Sequence, residues 1–323
     1  MQRLMTAALI VDRLTKRYGA QTAVNDLSFQ VAPGNITGFL GPNGAGKTST
    51  VRMILGLIAP TAGRITILGS DDVRTVQDRI GFLPEERGLY KRMTPIDAVA
   101  FLASLKGVPT AEGKRRAKTM LEAQGLAGHL KKPIKSLSKG MAQKVQLVAA
   151  VAHHPDLVIL DEPFSGLDPV NQQALEEVIR GIAARGATVL FSTHVMQHAE
   201  RLCDRVVLLT KGRKAFDGTV AEARSAAPRV LTLEGDLAPE AVRALPGVSG
   251  VQTAPPAERG GRPRLAVTLA PNAPVQHVLR PLFADGAEVT RFEMKEPSMH
   301  DAFIVLTGQS LPTPEAAELE RAA

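Results

Sequence analysis

Cysteine is all but missing from this chain: Cys203 is the only one among 323 residues. Without a second thiol there is no internal disulfide and no multi-thiolate metal site, which fits a reducing compartment and places Cys203 in a core. Long apolar runs are missing too. No stretch approaches the roughly 20 residues that a membrane helix needs. The N-terminal TAALIV, followed at once by Asp12, is too short for a secretory core and reads as a first strand. The expectation is a soluble, cytoplasmic chain able to dock on a membrane protein. No N-K-x-D base-reading motif and no internal repeat occur, which sets aside a guanine-nucleotide switch. Charge of one sign is only mildly in excess. Thirty-nine Lys+Arg against thirty-two Asp+Glu leave +7, a balance that suits nucleotide phosphates, nucleic acid or anionic lipid heads, and equally an ordinary solvated surface.

What is present is a globular composition, 44% hydrophobic and 22% charged, and a length that favours one large domain with a smaller companion. From Ala7 to about Arg224 the runs SFQV, ITGFL, RITIL, DLVIL, TVLFS and RVVLL alternate with longer helical stretches, which predicts a layered α/β domain over 7–224. Its first helix is expected to run from near Gly46 through VRMILGLI. Between Pro84 and Pro155 the character changes to TPIDAVAFLASLKG, GKRRAKTMLEAQGL and SKGMAQKVQLVAAVAHH, a helical subdomain of about 84–155 in which Thr94 and Pro95 form a start signal. SAAP then marks a boundary. Residues 225–308 read as a β-α-β-β-α-β-α unit, a small ferredoxin-like α+β domain, with AERGGRPR as a basic hairpin loop. Residues 309–323 read as a frayed tail.

The chemistry begins at GPNGAGKTS, which fits G-x-x-x-x-G-K-[ST] and comprises Gly41, Pro42, Asn43, Gly44, Ala45, Gly46, Lys47, Thr48 and Ser49. Gly41, Gly44 and Gly46 are expected to leave backbone N–H groups pointing inward around phosphate oxygens, and the following helix adds its positive end. Lys47 is expected to reach the β- and γ-phosphates and Thr48 to give its hydroxyl to Mg²⁺. A second run, DLVILDEP, ends in Asp161 and Glu162, where the carboxyl end of a buried parallel strand gathers ligands. Adjacent strand residues face opposite sides. Asp161 is therefore assigned to Mg²⁺ and its waters, and Glu162 to the water that attacks the γ-phosphate.

SLSKGMAQKVQLVAA, SGLD (Ser165 to Asp168) and STH (Ser192 to His194), taken with the phosphate loop, resemble the ATP-binding cassette family of transporter ATPases over about the first 224 residues. The fold implied is the P-loop NTPase of that type, a mixed sheet with a helical subdomain. The resemblance implies ATP and Mg²⁺ as cofactors and catalysis by Glu162, His194 and Lys47. It also implies Tyr18 stacked on adenine, Ser138 and Gly140 at a helix start that faces ATP held by a second subunit, and Asp168 in a loop that communicates across the dimer. Glu85 stands where the family usually has glutamine and joins Thr48 and Asp161 as an expected metal contact; Lys139 and Met141 replace a glycine and a glutamine. LPEERGLY, LSKGM and EPSMHDAFIVLTG further resemble bacterial export-type cassettes that pair with ABC-2 permeases, the sodium-efflux branch included. The partners implied are a second copy, or a related cassette, and an integral membrane permease docking near Glu85 to Met93; no nucleic acid is expected. Two other readings stand beside this one. A soluble cassette acting on ribosomes or DNA suits the charge but usually carries two cassettes, a coiled-coil arm or zinc cysteines. A non-hydrolysing ATP sensor would follow if Glu85 and the altered LSKGM made hydrolysis too slow. His277 and His300 read as surface or packing residues.

Overall fold

The structure, a computed structural model, describes residues 7–86, 88–254, 262–284 and 286–308. The expected tail at 309–323 and residues 257–261 of the AERGGRPR loop lie outside the described residues. The chain divides into two compact units, Met1–Val220 and Ala221–Ala323. Among the described residues no helix is long and apolar enough to cross a membrane.

The first unit opens with β1 (Leu9–Tyr18), β2 (Gln21–Val31), β3 (Ile36–Leu40), α1 (Lys47–Ile54), β4 (Ala62–Ile67) and β5 (Ile80–Leu83). Three helices follow, α2 (Pro95–Ser104), α3 (Thr110–Ala123) and α4 (Lys139–Val151). It closes with β6 (Leu157–Asp161), α5 (Pro169–Ala184), β7 (Thr188–Thr193), α6 (Met196–Leu202), β8 (Arg205–Thr210) and β9 (Arg213–Thr219). β2, β1 and β4 form an antiparallel sheet in that order. The larger sheet runs β5-β6-β7-β3-β8-β9, parallel from β5 to β8 with β9 antiparallel at its edge.

ITGFL, LVILD and TVLFST are buried at every position, as strands covered on both faces must be. Their alternation sorts the side chains. Phe39, Ile159 and Leu190 point into one apolar cluster with β1, β2 and α1, while Val158, Leu160, Val189 and Phe191 point into another with Leu175 and Ile179 of α5. In register, Leu40 lies beside Thr193 and Asp161 beside Ser192. The carboxyl ends of three neighbouring strands therefore reach the same edge, and the loops that leave them meet there.

α1 stops at Ile54, short of the expected VRMILGLI. Gly56 adopts φ +69, its N–H donates to Met53 O at 3.0 Å, and the Leu57 N–H donates to Arg52 O at 2.9 Å. This paired closure satisfies the last carbonyls of the helix, so the apolar residues beyond it leave the helix axis. α2 begins as expected, with Thr94 Oγ1 accepting from the Asp97 N–H at 3.2 Å and Pro95 in the first turn. α2, α3 and α4 bury Ala98, Val99, Ala103, Ala117, Leu121, Val145 and Ala149 together; the alanines let these helices approach closely.

α7 (Val220–Ser225) spans the division, and the second unit continues with β10 (Val230–Gly235), α8 (Pro239–Arg243), β11 (Val248–Ala254) and β12 (Arg264–Leu269). α9 (Gln276–Ala284), β13 (Val289–Lys295) and α10 (Met299–Leu306) complete it. The sheet order β11-β12-β10-β13, with every neighbour antiparallel, is the ferredoxin-like arrangement expected. Leu231, Leu233, Val251, Leu265 and Val267 of the sheet pack against Val242 of α8 and Val278 and Leu282 of α9. α10 is opened by a capping box in which Ser298 and Asp301 exchange bonds.

Candidate functional site: an anion cradle faced by two carboxylates

Residues 41–46 join the end of β3 to α1, whose first turn holds Lys47, Thr48 and Ser49. Gly46, the residue before α1, has φ 100, and a Cβ there would lie 2.5 Å from Ala23 O, so no other residue fits. The N–H groups of Asn43, Gly44, Gly46, Lys47, Thr48 and Ser49 have no acceptor among the described residues. Six unpaired donors at the positive end of a helix form a cradle for an anion. Gly41 departs from expectation. Its N–H donates to Thr193 O at 3.3 Å, so it continues the β3–β7 ladder and does not face the cradle. It must be glycine for a different reason: a Cβ would sit 2.5 Å from Leu209 O. The Ala45 N–H is likewise engaged, with Pro42 O at 3.1 Å.

Lys47 is 6% exposed. Its ammonium donates to Gly41 O at 2.7 Å and Pro42 O at 3.2 Å, and lies 3.6 Å from Glu162 Oε1. Glu162 leaves β6 with φ 46, a left-handed conformation that costs a non-glycine residue about 1–2 kcal/mol. Its N–H is held by both the carbonyl and the hydroxyl oxygen of Ser192, at 3.1 and 3.2 Å. His194 Nδ1 lies 3.1 Å from each carboxylate oxygen of Glu162; a carboxylate only accepts, so this nitrogen carries the proton. Asp161 is also buried and accepts from the Ser192 hydroxyl. Burial raises the Asp161 pKa, the bond from Ser192 opposes that rise, nearby Glu162 adds to it, and Lys47 lowers it.

These groups meet in a depression of about 430 Å³. Tyr18, Asn43, Gly44, Gly46, Lys47 and Thr48 line it, together with Ser49, Glu85, Glu162 and His194. Gly41, Pro42 and Ala45 belong to the loop but not to this lining, and Asp161 reaches the group through Ser192. Tyr18 is 48% exposed at the rim, with the Lys16 ammonium 5.1 Å from its ring centre.

Ser138, Gly140 and Asp168 do not line the depression. They form a second grouping. The Ser138 hydroxyl caps α4 by accepting from the Met141 N–H at 3.3 Å. Asp168 caps α5, accepting from the Asn171 N–H at 3.0 Å and the Asn171 amide at 2.6 Å. These two bonds from Asn171 lower the Asp168 pKa. A Cβ on Gly140 would lie 2.9 Å from the same Asn171 amide, so Asn171 packs closely against the start of α4. The Lys139 side chain lies over Gly166.

Sequence reasoning missed four positioning residues. Gln146 of α4 donates to Pro84 O at 3.3 Å and Glu86 O at 3.2 Å, clasping the segment that carries Glu85. Gln143 donates to Pro163 O at 3.1 Å, beside Glu162. Ser192 and Asn171 complete the set. The legible signal was a pair of amides three residues apart on a helix with ten buried positions.

As for a metal, the donor set is hard oxygen: the Thr48 hydroxyl and the Asp161 and Glu85 carboxylates. Among the described residues no group of three or more His, Cys, Asp or Glu is placed to hold a metal. That set fits Mg²⁺ entering with phosphate oxygens, since Mg²⁺ takes one or two carboxylates and completes its shell elsewhere. Cys203 packs, as expected, against the core that holds Phe191 and Leu202, where burial raises its thiol pKa, and His277 and His300 are exposed.

Comparison with known proteins bears on this arrangement. The family described as "ABC transporter" matches residues 24–165, and "ATP-binding protein DrrA1-3-like, C-terminal domain" matches residues 218–307. An ABC transporter ATP-binding protein of Bacillus subtilis, YhaQ, is 37% identical over 93% of this chain and 98% of its own. The Nod factor export ATP-binding protein I of Rhizobium leguminosarum is 38% identical over 67% of this chain and 70% of its own. The linearmycin resistance ATP-binding protein LnrL of B. subtilis is 35% identical over 65% and 69%. A solved ATP-binding subunit of an ABC transporter superposes with TM-score 0.62 at 38% identity, covering 67% of this chain and 92% of that one.

Proposed function

Because this chain belongs to the family of ABC transporter ATP-binding subunits, we propose that it hydrolyses ATP to drive a separate ABC-2-type permease, in the direction of export. Subunits of the family bind ATP, work with membrane permeases and generally dimerise. The finer reading is carried by one observation: Lys47, Glu162 and His194 converge beneath six unpaired N–H donors. Export is supported by relatives whose names specify Nod factor export and linearmycin resistance.

In this reading the cradle takes the β- and γ-phosphates, and Lys47 exchanges the carbonyls of Gly41 and Pro42 for phosphate oxygens. Tyr18 at the rim offers its ring to adenine. Glu162, oriented by His194 and by its N–H bonds to Ser192, accepts a proton from water as the water oxygen bonds to the γ-phosphorus. The bond to the ADP oxygen breaks, leaving ADP and phosphate. Bound Mg²⁺, held by Thr48 and Asp161 with Glu85 near, would neutralise charge on the phosphates. Ser138 and Gly140 sit away from the depression of their own chain, which supports a head-to-tail pair in which the α4 start of one copy closes on ATP held by the other. Loss of the γ-phosphate then removes what bridges the copies. The surface near Glu85 to Met93 is where the permease would dock.

Phosphate release by the full chain tests this. Glu162→Gln is expected to keep ATP affinity within about threefold while release falls on the order of 100-fold or more. Wild type and variant releasing phosphate equally slowly, with ATP still bound, would leave the non-hydrolysing sensor as the better reading.

A further inference from the structure

The second unit has two edge strands, and they differ in charge. β11 carries no charged residue, and its register with β12 shifts between Val248 and Gly250, an irregularity of the type that blunts an edge. β13 also shifts register, against β10, between Val289 and Arg291 and is regular from Arg291 to Lys295; four of its consecutive residues, Thr290 to Glu293, are exposed and include charges of both signs. Phe292 pairs with Leu233, so it points to the face covered by α8 and α9, yet it hangs past the sheet edge at 54% exposure. Arg291 and Glu293 share the other face, 3.4 Å apart and both exposed.

We propose that β13 is a self-association edge, pairing antiparallel with β13 of a second copy about a two-fold axis through Phe292. Two copies joined by an axis perpendicular to a continuous sheet place residues equidistant from the axis opposite each other. Phe292 is the midpoint of Val289–Lys295, so this register spans the strand, with the shift between Val289 and Arg291 lying outside its three central pairs. It sets Arg291 of each copy against Glu293 of the other, twice, and brings the two Phe292 rings together. An axis at Arg291 or at Glu293 instead puts like charges face to face. An axis at Thr290 or Met294 leaves only about three residues of overlap within the strand. Charges on an edge usually keep copies apart; here their signs alternate so that one full-length register turns both pairs attractive. Lys295, tied to Asp301 at 3.2 Å, stays outside the charge pairs. This edge needs no nucleotide, so it goes beyond the ATP-dependent clasp. A contact of this size implies a dissociation constant of about 1 µM or weaker.

Sedimentation of the full chain without nucleotide tests the edge. Wild type is expected to dimerise reversibly. Arg291→Glu, and separately Glu293→Arg, should each weaken association on the order of tenfold, and the two together should restore it to within about threefold. Phe292→Cys under mild oxidation should yield a dimer whose cross-linked peptide joins position 292 to position 292. All three side chains are exposed, so folding is not at stake. A chain that stays monomeric without nucleotide, or a double swap no better than its parents, overturns the proposal. Association that appears only with ATP overturns it too, while leaving the hydrolytic reading intact.

Discussion

Ser192→Ala isolates the residue that binds both carboxylate positions to β7. Its hydroxyl donates to Asp161 and accepts, at 3.2 Å, from the N–H of Glu162. The Glu162 N–H keeps a partner in the variant, since the Ser192 carbonyl lies at 3.1 Å. The loss falls on Asp161, a carboxylate 4% exposed. Removing a donor from a buried charged acceptor costs about 1.5–3 kcal/mol. For a unit of this size, about 2 kcal/mol lowers the midpoint by roughly 4–8 °C. The pH dependence has a definite sign. Burial raises the Asp161 pKa in the fold, so ionising it costs stability as pH rises through that raised value, and the Ser192 hydroxyl reduces the cost. The deficit of the variant should therefore be full at neutral pH and shrink as pH falls through the pKa of Asp161. Thermal unfolding from neutral to acid pH, with the Mg²⁺ dependence of ATP binding measured alongside, gives the assay. Equal midpoints at neutral pH, or a deficit that grows on acidification, would refute the assignment.

Three further outcomes are expected. Gly46→Ala forces a Cβ to 2.5 Å from Ala23 O at φ 100, and calorimetry should show ATP affinity falling by tenfold or more. His153 has its pKa lowered to about 4, by burial against the opposing bond to Ile80 O; its stabilising contribution is present above the unfolded histidine range and is lost as pH falls towards about 4. His153→Gln should flatten the stability curve over that window, on the order of 1 kcal/mol after solvent screening, and parallel urea curves for the two proteins would refute the cause. Ser298→Ala should unlock the α10 capping box and cost about 1 kcal/mol, seen as a lower urea midpoint of the second unit.

Much of this was legible because it is local. GPNGAGKTS announces its conformation through Gly44 and Gly46, at positive φ values that side chains rarely adopt, and ITGFL, DLVIL and TVLFS announce buried strands by their dense apolar content. The reading slipped where a distant partner decides. Gly41 looked like a free donor until β7 placed Thr193 O against it. Ser192, Gln143 and Gln146 are ordinary polar residues in the sequence whose bonds go to segments far along the chain, and Asn171, bonded locally to Asp168, also packs against distant Gly140. At α1 the apolar pattern outran the helix because Gly56 closes it first.

β3, β6 and β7 each have a bonded neighbour on both flanks, while β5, which leads to Glu85, is the four-residue outermost strand. Amide protons along the first three should exchange only when the whole unit melts, and those leading to Glu85 far sooner, in small fraying events. The site thus joins a frame that opens all at once to one acid on the outer margin of the sheet, held there by the two bonds from Gln146.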